Sequence, residues 1–264
     1  SKVMHILVVG GGMGGTILAN NLARRLSGEL EQGSSKITML SATDKHMYQP
    51  GLLYVAVGKM STTELYRDQK SLLEPSIDFH VDPVEKFDMD NNSVTTKSGK
   101  KISYDILCIA TGSRGNAAGI PGLAENACQF YTEADALAMY KKLQKFEGGK
   151  VVVATGVPHK CPMSPLEITF FLVDYFKKRG IWDKVDLHYT YPIGRVHSLE
   201  PVANWAAPEF DKLGITYETL FNMKEVVPGK VISEEDSSAE FDLLVTVPPL
   251  SLIHISEPTR LGAI

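Results

Sequence analysis

Cysteine is scarce in this chain: three in 264 residues, at Cys108, Cys128 and Cys161. That is too few and too scattered for a disulfide scaffold or a zinc site, so no metal is expected. No apolar run approaches the length of a membrane span. The first residues lead straight into a β-type run without a charged-then-apolar leader. No export signal is therefore expected, and the expected location is the cytoplasm or, by peripheral attachment, the cytoplasmic face of a membrane. Positive charge is not in surplus either. With 27 Lys and Arg against 31 Asp and Glu the net charge is −4, which argues against a general nucleic-acid binder. Repeats and low-complexity segments are absent. What is present is an ordinary globular composition, 44% hydrophobic and 22% charged, in a chain long enough for one large domain or two ordinary ones.

Val3 to Val9 (VMHILVV) has the character of a buried strand, followed by Gly10-Gly11-Gly12-Met13-Gly14-Gly15 and a helical pattern to Leu26. This is G-x-G-x-x-G between a strand and a helix, with Gly10, Gly12 and Gly15 at its key positions. The first permits the tight turn, the second lets backbone approach a pyrophosphate, and the third packs helix on strand. A dinucleotide site is expected there. The next strand, Lys36 to Leu40, should end in an acid for the ribose hydroxyls. Ser41 stands there instead, and Asp44, three residues on, reads as a turn residue. A helix is expected from about Thr62 to Leu73 and an antiparallel meander over Ile77 to Tyr104. A buried strand over Asp105 to Ala110 should hold Cys108 as a structural residue. That strand closes on Ala110-Thr111-Gly112, a small-residue turn that would bring backbone close to a flavin or adenine.

A Gly/Ala/Pro-rich crossover over Gly115 to Asn126 suggests a domain boundary near Pro121. Beyond it the pattern alternates: a helix Thr132 to Phe146 with Ala134, Leu137, Ala138 and Leu143 inward, a strand at Lys150 to Ala154 and a helix Pro165 to Arg179. A strand Val185 to Thr190, a helix Val202 to Leu213, a strand Ile215 to Leu220, a hairpin over Val226 to Ile232 and a strand Phe241 to Val247 follow. Such β-α-β alternation predicts a second doubly wound unit.

Where that second unit would carry a Gly-rich phosphate loop, the chain reads Lys150 to Pro162 (KVVVATGVPHKCP). The loop is lacking, and Pro158 has no N–H to offer a pyrophosphate. Cys161 stands there instead, between a strand end and the start of a helix. Ser164 can cap that helix, Pro165 suits its first position, and Glu167 can close a capping box or shuttle protons near the thiol. A helix N-terminus with Lys160 and His159 alongside is an electropositive setting that favours a thiolate. A small apolar cysteine packed on the helix is the plainer alternative. His159 reads as a surface loop histidine, and His197 as structural.

With the first Gly loop, the Ala110-Thr111-Gly112 turn and Cys161 together, the chain resembles the sulfide:quinone oxidoreductases, flavoproteins of the disulfide-reductase type. The likeness runs from Val3 to Pro249. It is most specific at Pro158-His159-Lys160-Cys161-Pro162, at Tyr175 to Gly180, and at Asp242 to Pro249 (DLLVTVPP). It implies an α/β fold of two Rossmann-like, three-layer units, residues 1–120 forming an FAD domain with a β-meander and 121–249 carrying the redox cysteine. It implies FAD held at Gly10, Gly12, Gly15, Ser41, Ala110, Thr111 and Gly112, and sulfide oxidised at a cysteine pair that includes Cys161, with Glu167 nearby. Electrons would pass to a membrane quinone, with peripheral membrane contact through C-terminal segments and an open possibility of homo-oligomers.

Three departures from that family stand out: the partner for Cys161, a later Gly-Asp motif for FAD, and a further cysteine at the position of Tyr131. Cys128 lies three residues before that last position. A type II NADH:quinone oxidoreductase would need a second G-x-G-x-x-G after Ala154, and a flavocytochrome c sulfide dehydrogenase an export signal. A non-catalytic flavin-binding protein is the alternative outside enzymes. Finally, Leu250 to Arg260 (LSLIHISEPTR) coincides with the one-frame translation of a transposon adapter used to prepare sequencing libraries. Residues 250–264 are therefore expected to be a non-native tail. The native sequence is expected to be cut after Pro249, leaving the FAD domain without its last strand and the chain inactive.

Overall fold

The computed structural model describes residues 2–252; the proposed tail past Leu252 lies outside the described residues. Of the described residues, one compact unit takes 2–48, 65–113 and 252, and the other takes 49–64 and 114–251. Both are α/β units on parallel sheets, as the sequence patterning predicts.

The first unit is built on β1 (Met4–Val9). It pairs in parallel with β2 (Ser35–Ser41) on one side and β9 (Ile106–Ile109) on the other, and β5 (Asp78–Val81) extends the sheet beyond β2. One face, with Ile6, Val8, Ile37 and Met39, packs on Ala19 and Ala23 of α1 (Met13–Arg25). The other face, with Leu7, Val9 and Leu40, packs on Val84, Val94 and Tyr104 of an antiparallel meander. That meander is β6 (Val84–Asp88), β7 (Ser93–Thr96) and β8 (Lys101–Ser103). Helix, sheet and meander make three layers.

Three expectations are corrected here. Residues 77–81 lie outside the meander, because Asp78–Val81 pairs in parallel with β2. The helix over Thr62 to Leu73 stops after one 3-10 turn at Thr62–Leu65. At this turn Glu64 accepts both the N–H and the hydroxyl of Ser61 at 2.8 and 2.9 Å. The next residues leave the helix because β4 (Tyr66–Asp68) pairs antiparallel with β3 (Lys45–Met47), a contact between chain segments far apart in sequence that local propensity does not report. Third, β9 is an edge strand rather than a buried one. Ile106 and Ile109 are 45% and 53% exposed, and Cys108 is half-buried.

The second unit has a five-stranded, wholly parallel sheet. Its strands are β10 (Ala127–Cys128), β11 (Gly149–Thr155), β12 (Val185–Thr190), β13 (Thr216–Glu218) and β17 (Leu243–Val247), in the order β10-β17-β11-β12-β13. Chain order reverses at β11, whose neighbours are β12, the next strand in the chain, and β17, the last; such a switch point is where doubly wound sheets bind ligands. Val152, Ala154 and Leu244 pack on Phe221, Met223, Val226 and Val231. These last four come from or adjoin an antiparallel β14 (Met223–Val227), β15 (Lys230–Ser233) and β16 (Ser238–Glu240). Against the opposite face of β11 and β17 lies a helix over Ser164–Lys178.

The helix α2 (Gly51–Ala56) also belongs to this unit and contacts α3 (Glu133–Lys145). In α3 the inward face is Ala136, Met139 and Leu143, so of the expected set Leu143 is inward; Leu137 is 38% exposed and Ala134 and Ala138 face solvent. Apolar residues occur on both faces of this helix, so periodicity alone did not select between them. Helix α4 (Ser164–Lys178) ends as expected near Gly180, whose φ of +70° is the left-handed conformation glycine favours. Helix α5 (Glu200–Leu213) buries Ala203, Ala206 and Phe210 and carries Pro208 on its exposed side.

Pro208 cannot donate to the carbonyl one turn back, and its ring crowds that carbonyl. Pro208→Ala is expected to stabilise the protein by about 1–3 kcal/mol in urea unfolding. A loss of stability would contradict this.

Candidate functional site

In the first unit, the turns after three neighbouring parallel strands converge at the carboxyl edge of the sheet. Gly10 has φ +113° and donates its N–H to Leu40 O at 2.8 Å. A Cβ built on Gly10 would lie 2.2 Å from Ala110 O, and one on Gly15 would lie 1.9 Å from Gly10 O. Neither position can carry a side chain, for the turn and helix-packing reasons expected of them. Gly12 is different: a Cβ there meets nothing within 4 Å. It is exposed, and it is the residue that precedes the first turn of α1. Open space in front of a helix N-terminus is the geometry that accepts phosphate oxygens. Ala110 continues the β9 pairing through its N–H to Val9 O at 2.7 Å, and Gly112, with φ +78°, turns the chain away.

Ser41 is buried beneath this loop. Its Oγ accepts from the Thr43 N–H at 3.4 Å, and a Cβ on Gly11 would lie 2.7 Å from it. It supports the loop from below. Asp44 is exposed in the bend after β2, and its carbonyl accepts the Gln69 N–H at 2.8 Å. Sequence reading missed the group that lies under Gly11. Gln69 is fully buried and bonds His46 and Thr16. A glutamine inside an expected helix carries no signal of such a role.

In the second unit, β11 runs into the loop Gly156 to Met163 and then α4. Gly156 donates to Val247 O at 2.8 Å, and a Cβ on it would lie 2.7 Å from Pro249 Cδ and 2.8 Å from Pro249 N. Pro249 O in turn accepts the Asn116 N–H at 2.6 Å, and Pro158 O accepts the Leu250 N–H at 2.9 Å. At the switch point between β11 and β17, Pro249 is packed on Gly156, the Gly156 N–H is taken by Val247 O, and Pro158 has no N–H to offer a pyrophosphate.

Cys161 is half-buried on this loop. Its carbonyl accepts from the Ser164 N–H at 3.3 Å and the Ser164 hydroxyl at 3.0 Å. Ser164 Oγ also lies 2.5 Å from the Tyr131 hydroxyl. Burial pushes the Tyr131 phenol well above its ordinary pKa, and a neighbouring Cys161 thiolate would raise it further. Tyr131 therefore stays neutral and acts through its hydrogen bond.

The expected capping box is not formed. Ser164 is already helical, with Met163 at the cap, and its hydroxyl is directed back to Cys161. Glu167 makes no side-chain hydrogen bond among the described residues. It is accessible on the first turn of α4, yet packed atoms around its carboxyl raise the pKa above the ordinary glutamate value. Of its two readings, capping is removed.

The electropositive setting is also corrected in part. Desolvation lowers the pKa of both Lys160 and His159, so neither charge is favoured by its surroundings. His159 is tethered rather than a free surface residue: Nδ1 lies 3.1 Å from Gly156 O and Nε2 lies 3.2 Å from the Tyr191 hydroxyl. His197 is fully buried, with Nδ1 accepting the Leu199 N–H at 2.9 Å and Nε2 without a partner among the described residues. Cys128 is buried in β10, and burial raises its pKa, as it does for Cys108. Among the described residues no group of three or more His, Cys, Asp and Glu is placed to hold a metal ion.

Residues 4–153 match the pyridine nucleotide-disulphide oxidoreductase family. The chain is similar to the sulfide-quinone reductase of Aquifex aeolicus, 36% identical over 250 residues, covering 86% of this chain and 56% of that protein. It is also similar to the mitochondrial sulfide:quinone oxidoreductase of Mus musculus, 26% identical over 265 residues, covering 96% and 56%. The crystal structure of the Aquifex aeolicus sulfide:quinone oxidoreductase superposes with a TM-score of 0.81 at 27% identity, over 94% of this chain and 59% of that one. The chain spans slightly more than half the length of these relatives.

Because burial depresses the His159 pKa, the unfolded chain binds the proton more readily than the folded one. The stability this contributes is present above the ordinary value of 6.5 and is lost as pH falls through the depressed folded value. An NMR titration of the His159 ring should show a midpoint below 6.5; a midpoint at or above it would contradict the desolvated setting. In the same loop, Gly156→Ala must displace Pro249, and a destabilisation of about 1–3 kcal/mol is expected from urea unfolding.

Proposed function

The chain belongs to the pyridine nucleotide-disulphide oxidoreductase family, and from that premise we propose that it oxidises sulfide at Cys161, with FAD held in the first unit and a quinone as the final acceptor. What supports this reading is the contrast between two equivalent places. At the carboxyl edge of the first sheet the backbone leaves open space at Gly12, while in the second unit Pro249 packs on Gly156 and a cysteine loop follows β11. This contrast favours one dinucleotide, in the first unit, over a second one as electron donor in the second unit. The names of the relatives given above supply sulfide and quinone.

The residues of the first unit fit FAD by the test of space. Gly10 and Gly15 would clash with the turn if they bore a Cβ, and Gly12 would not. In the proposed assignment Gly10, Gly12 and Gly15 hold the pyrophosphate, and Ala110, Thr111 and Gly112 lie along the cofactor. Ser41 backs the loop. FAD, when bound, supplies a two-electron acceptor. In the second unit, Cys161 is proposed as one sulfur of an oxidised pair. Hydrosulfide sulfur bonds to one cysteine sulfur, the S–S bond breaks, and the other sulfur leaves as a thiolate. Neither Cys108, half-buried on an edge strand, nor Cys128, buried in β10, is proposed as the second member.

Tyr131 and Ser164 fix the Cys161 backbone, so the thiol is presented from a held loop rather than a free one. Glu167, with its raised pKa, holds a proton to higher pH than an ordinary glutamate and is proposed to pass it to or from sulfur. A quinone acceptor carries with it peripheral contact with a membrane, proposed at its cytoplasmic face. Among the described residues no helix is long and apolar enough to cross one.

In the complete gene product, Cys161→Ser is expected to keep its FAD content and to lose sulfide-dependent quinone reduction by more than about a hundredfold. Flavin bleaching by NADH but not by sulfide in the unsubstituted protein would overturn the reading. Unchanged behaviour of the Ser variant would reduce the chain to a flavin-binding protein.

A further inference from the structure

We propose that Gln69 is a positioning residue for the dinucleotide loop: through Thr16 and His46 it pins the Gly11 carbonyl inward and so turns the Gly12 N–H outward, toward the phosphates of a bound dinucleotide. The inference rests on the reading of Gly10 to Gly15 as a dinucleotide cradle and adds the side chains that shape it.

The Gln69 side chain is fully buried, and its polar atoms are matched donor to acceptor. Its Oε1 lies 2.9 Å from His46 Nδ1, and its Nε2 donates to Thr16 Oγ1 at 2.9 Å and toward Met39 Sδ at 3.6 Å. His46 Nδ1 also lies 3.1 Å from Gly11 O. Both neighbours of that nitrogen are acceptors only, so Nδ1 carries the hydrogen and gives it to both. Thr16 Oγ1, having accepted from Gln69, has its own hydrogen free for Gly11 O at 3.3 Å. The Gly11 carbonyl therefore receives two side-chain donors, one from α1 and one from β3.

Across a trans peptide the carbonyl and the following N–H point in opposite directions. With Gly11 O drawn under the loop, the Gly12 N–H faces the open side, where Gly12 is exposed and a Cβ would meet nothing within 4 Å. Among the described residues that N–H makes no hydrogen bond. Gln69 reaches this place because Lys45 pairs with Asp68 and His46 with Arg67, and because its own N–H is held by Asp44 O at 2.8 Å. The short antiparallel pair that interrupts the expected helix is thus what brings an amide under the phosphate loop.

The probe is ADP, which carries the pyrophosphate without the flavin, titrated calorimetrically into the cofactor-free chain; circular dichroism confirms that each variant is folded. Gln69→Leu and Thr16→Val are each expected to weaken ADP by about tenfold, and Thr16→Ser, which keeps the hydroxyl, by no more than about twofold. Folded Gln69→Leu and Thr16→Val proteins that bind ADP like the parent would overturn the proposal. So would a Thr16→Ser protein as weak as Thr16→Val, because bulk and not hydrogen bonding would then matter. Should Gln69→Leu fail to fold, the Thr16 pair decides alone. A parent chain that binds neither ADP nor FAD would instead remove the cradle itself, an outcome distinct from binding that the variants leave unmoved.

Discussion

Both units depend on how closely backbone can approach backbone at the carboxyl edge of a parallel sheet. In the first, Gly10 lies against Ala110 and Gly15 against Gly10 at separations that no Cβ would tolerate, and this tight packing leaves the space before α1 open. In the second, Gly156 also permits a close approach, but what approaches is Pro249. The two units therefore differ in what stands opposite a glycine at the strand end: a backbone carbonyl in the first, a proline ring in the second.

Local rules made the first of these places legible and left the second partly hidden. The strand Met4–Val9, its Gly turn and α1 follow from apolar run, turn residues and helical spacing, all within about 25 residues. That Pro158 offers no N–H was also visible. The packing of Pro249 on Gly156 was not, because it joins positions 156 and 249 through a sheet register that only the fold supplies. The interrupted helix at Tyr66–Asp68 is the same kind of failure. Ser61 and Glu64 do start a turn, and pairing with Lys45–Met47 then outweighs helix propensity. Apolar residues on both faces of α3 left its inward side undetermined for another reason: periodicity gives a face only when one face is clearly the more apolar.

Around Cys161 the residue types suggested charge, whereas the fold mostly supplies hydrogen bonds. Lys160 and His159 are disfavoured as cations by desolvation. His159 is held between Gly156 and Tyr191, and the Cys161 carbonyl between two donors of Ser164. Such contacts fix where a thiol stands without deciding its charge. Ser164 could have been a cap, and its spacing to Glu167 favoured that use. Its hydroxyl instead donates to Cys161 O and meets Tyr131, which frees Glu167 from any structural duty at the helix start. The Glu167 carboxyl, without a side-chain hydrogen bond among the described residues, has its pKa raised by partial desolvation.

The edge strand β9 carries the same logic to the surface. Ile106–Ile109 pairs with β1 and, among the described residues, has no strand on its other side. Two of its isoleucines, Ile106 and Ile109, are about half exposed. Short length is the feature that restrains such an edge from pairing with another chain, since four residues offer few ladder bonds. The strand ends where Ala110 packs on Gly10, so covering or distorting this edge would be felt directly in the cradle. The stability of the sheet edge and the shape of the phosphate loop are therefore one problem, joined at the Ala110 carbonyl.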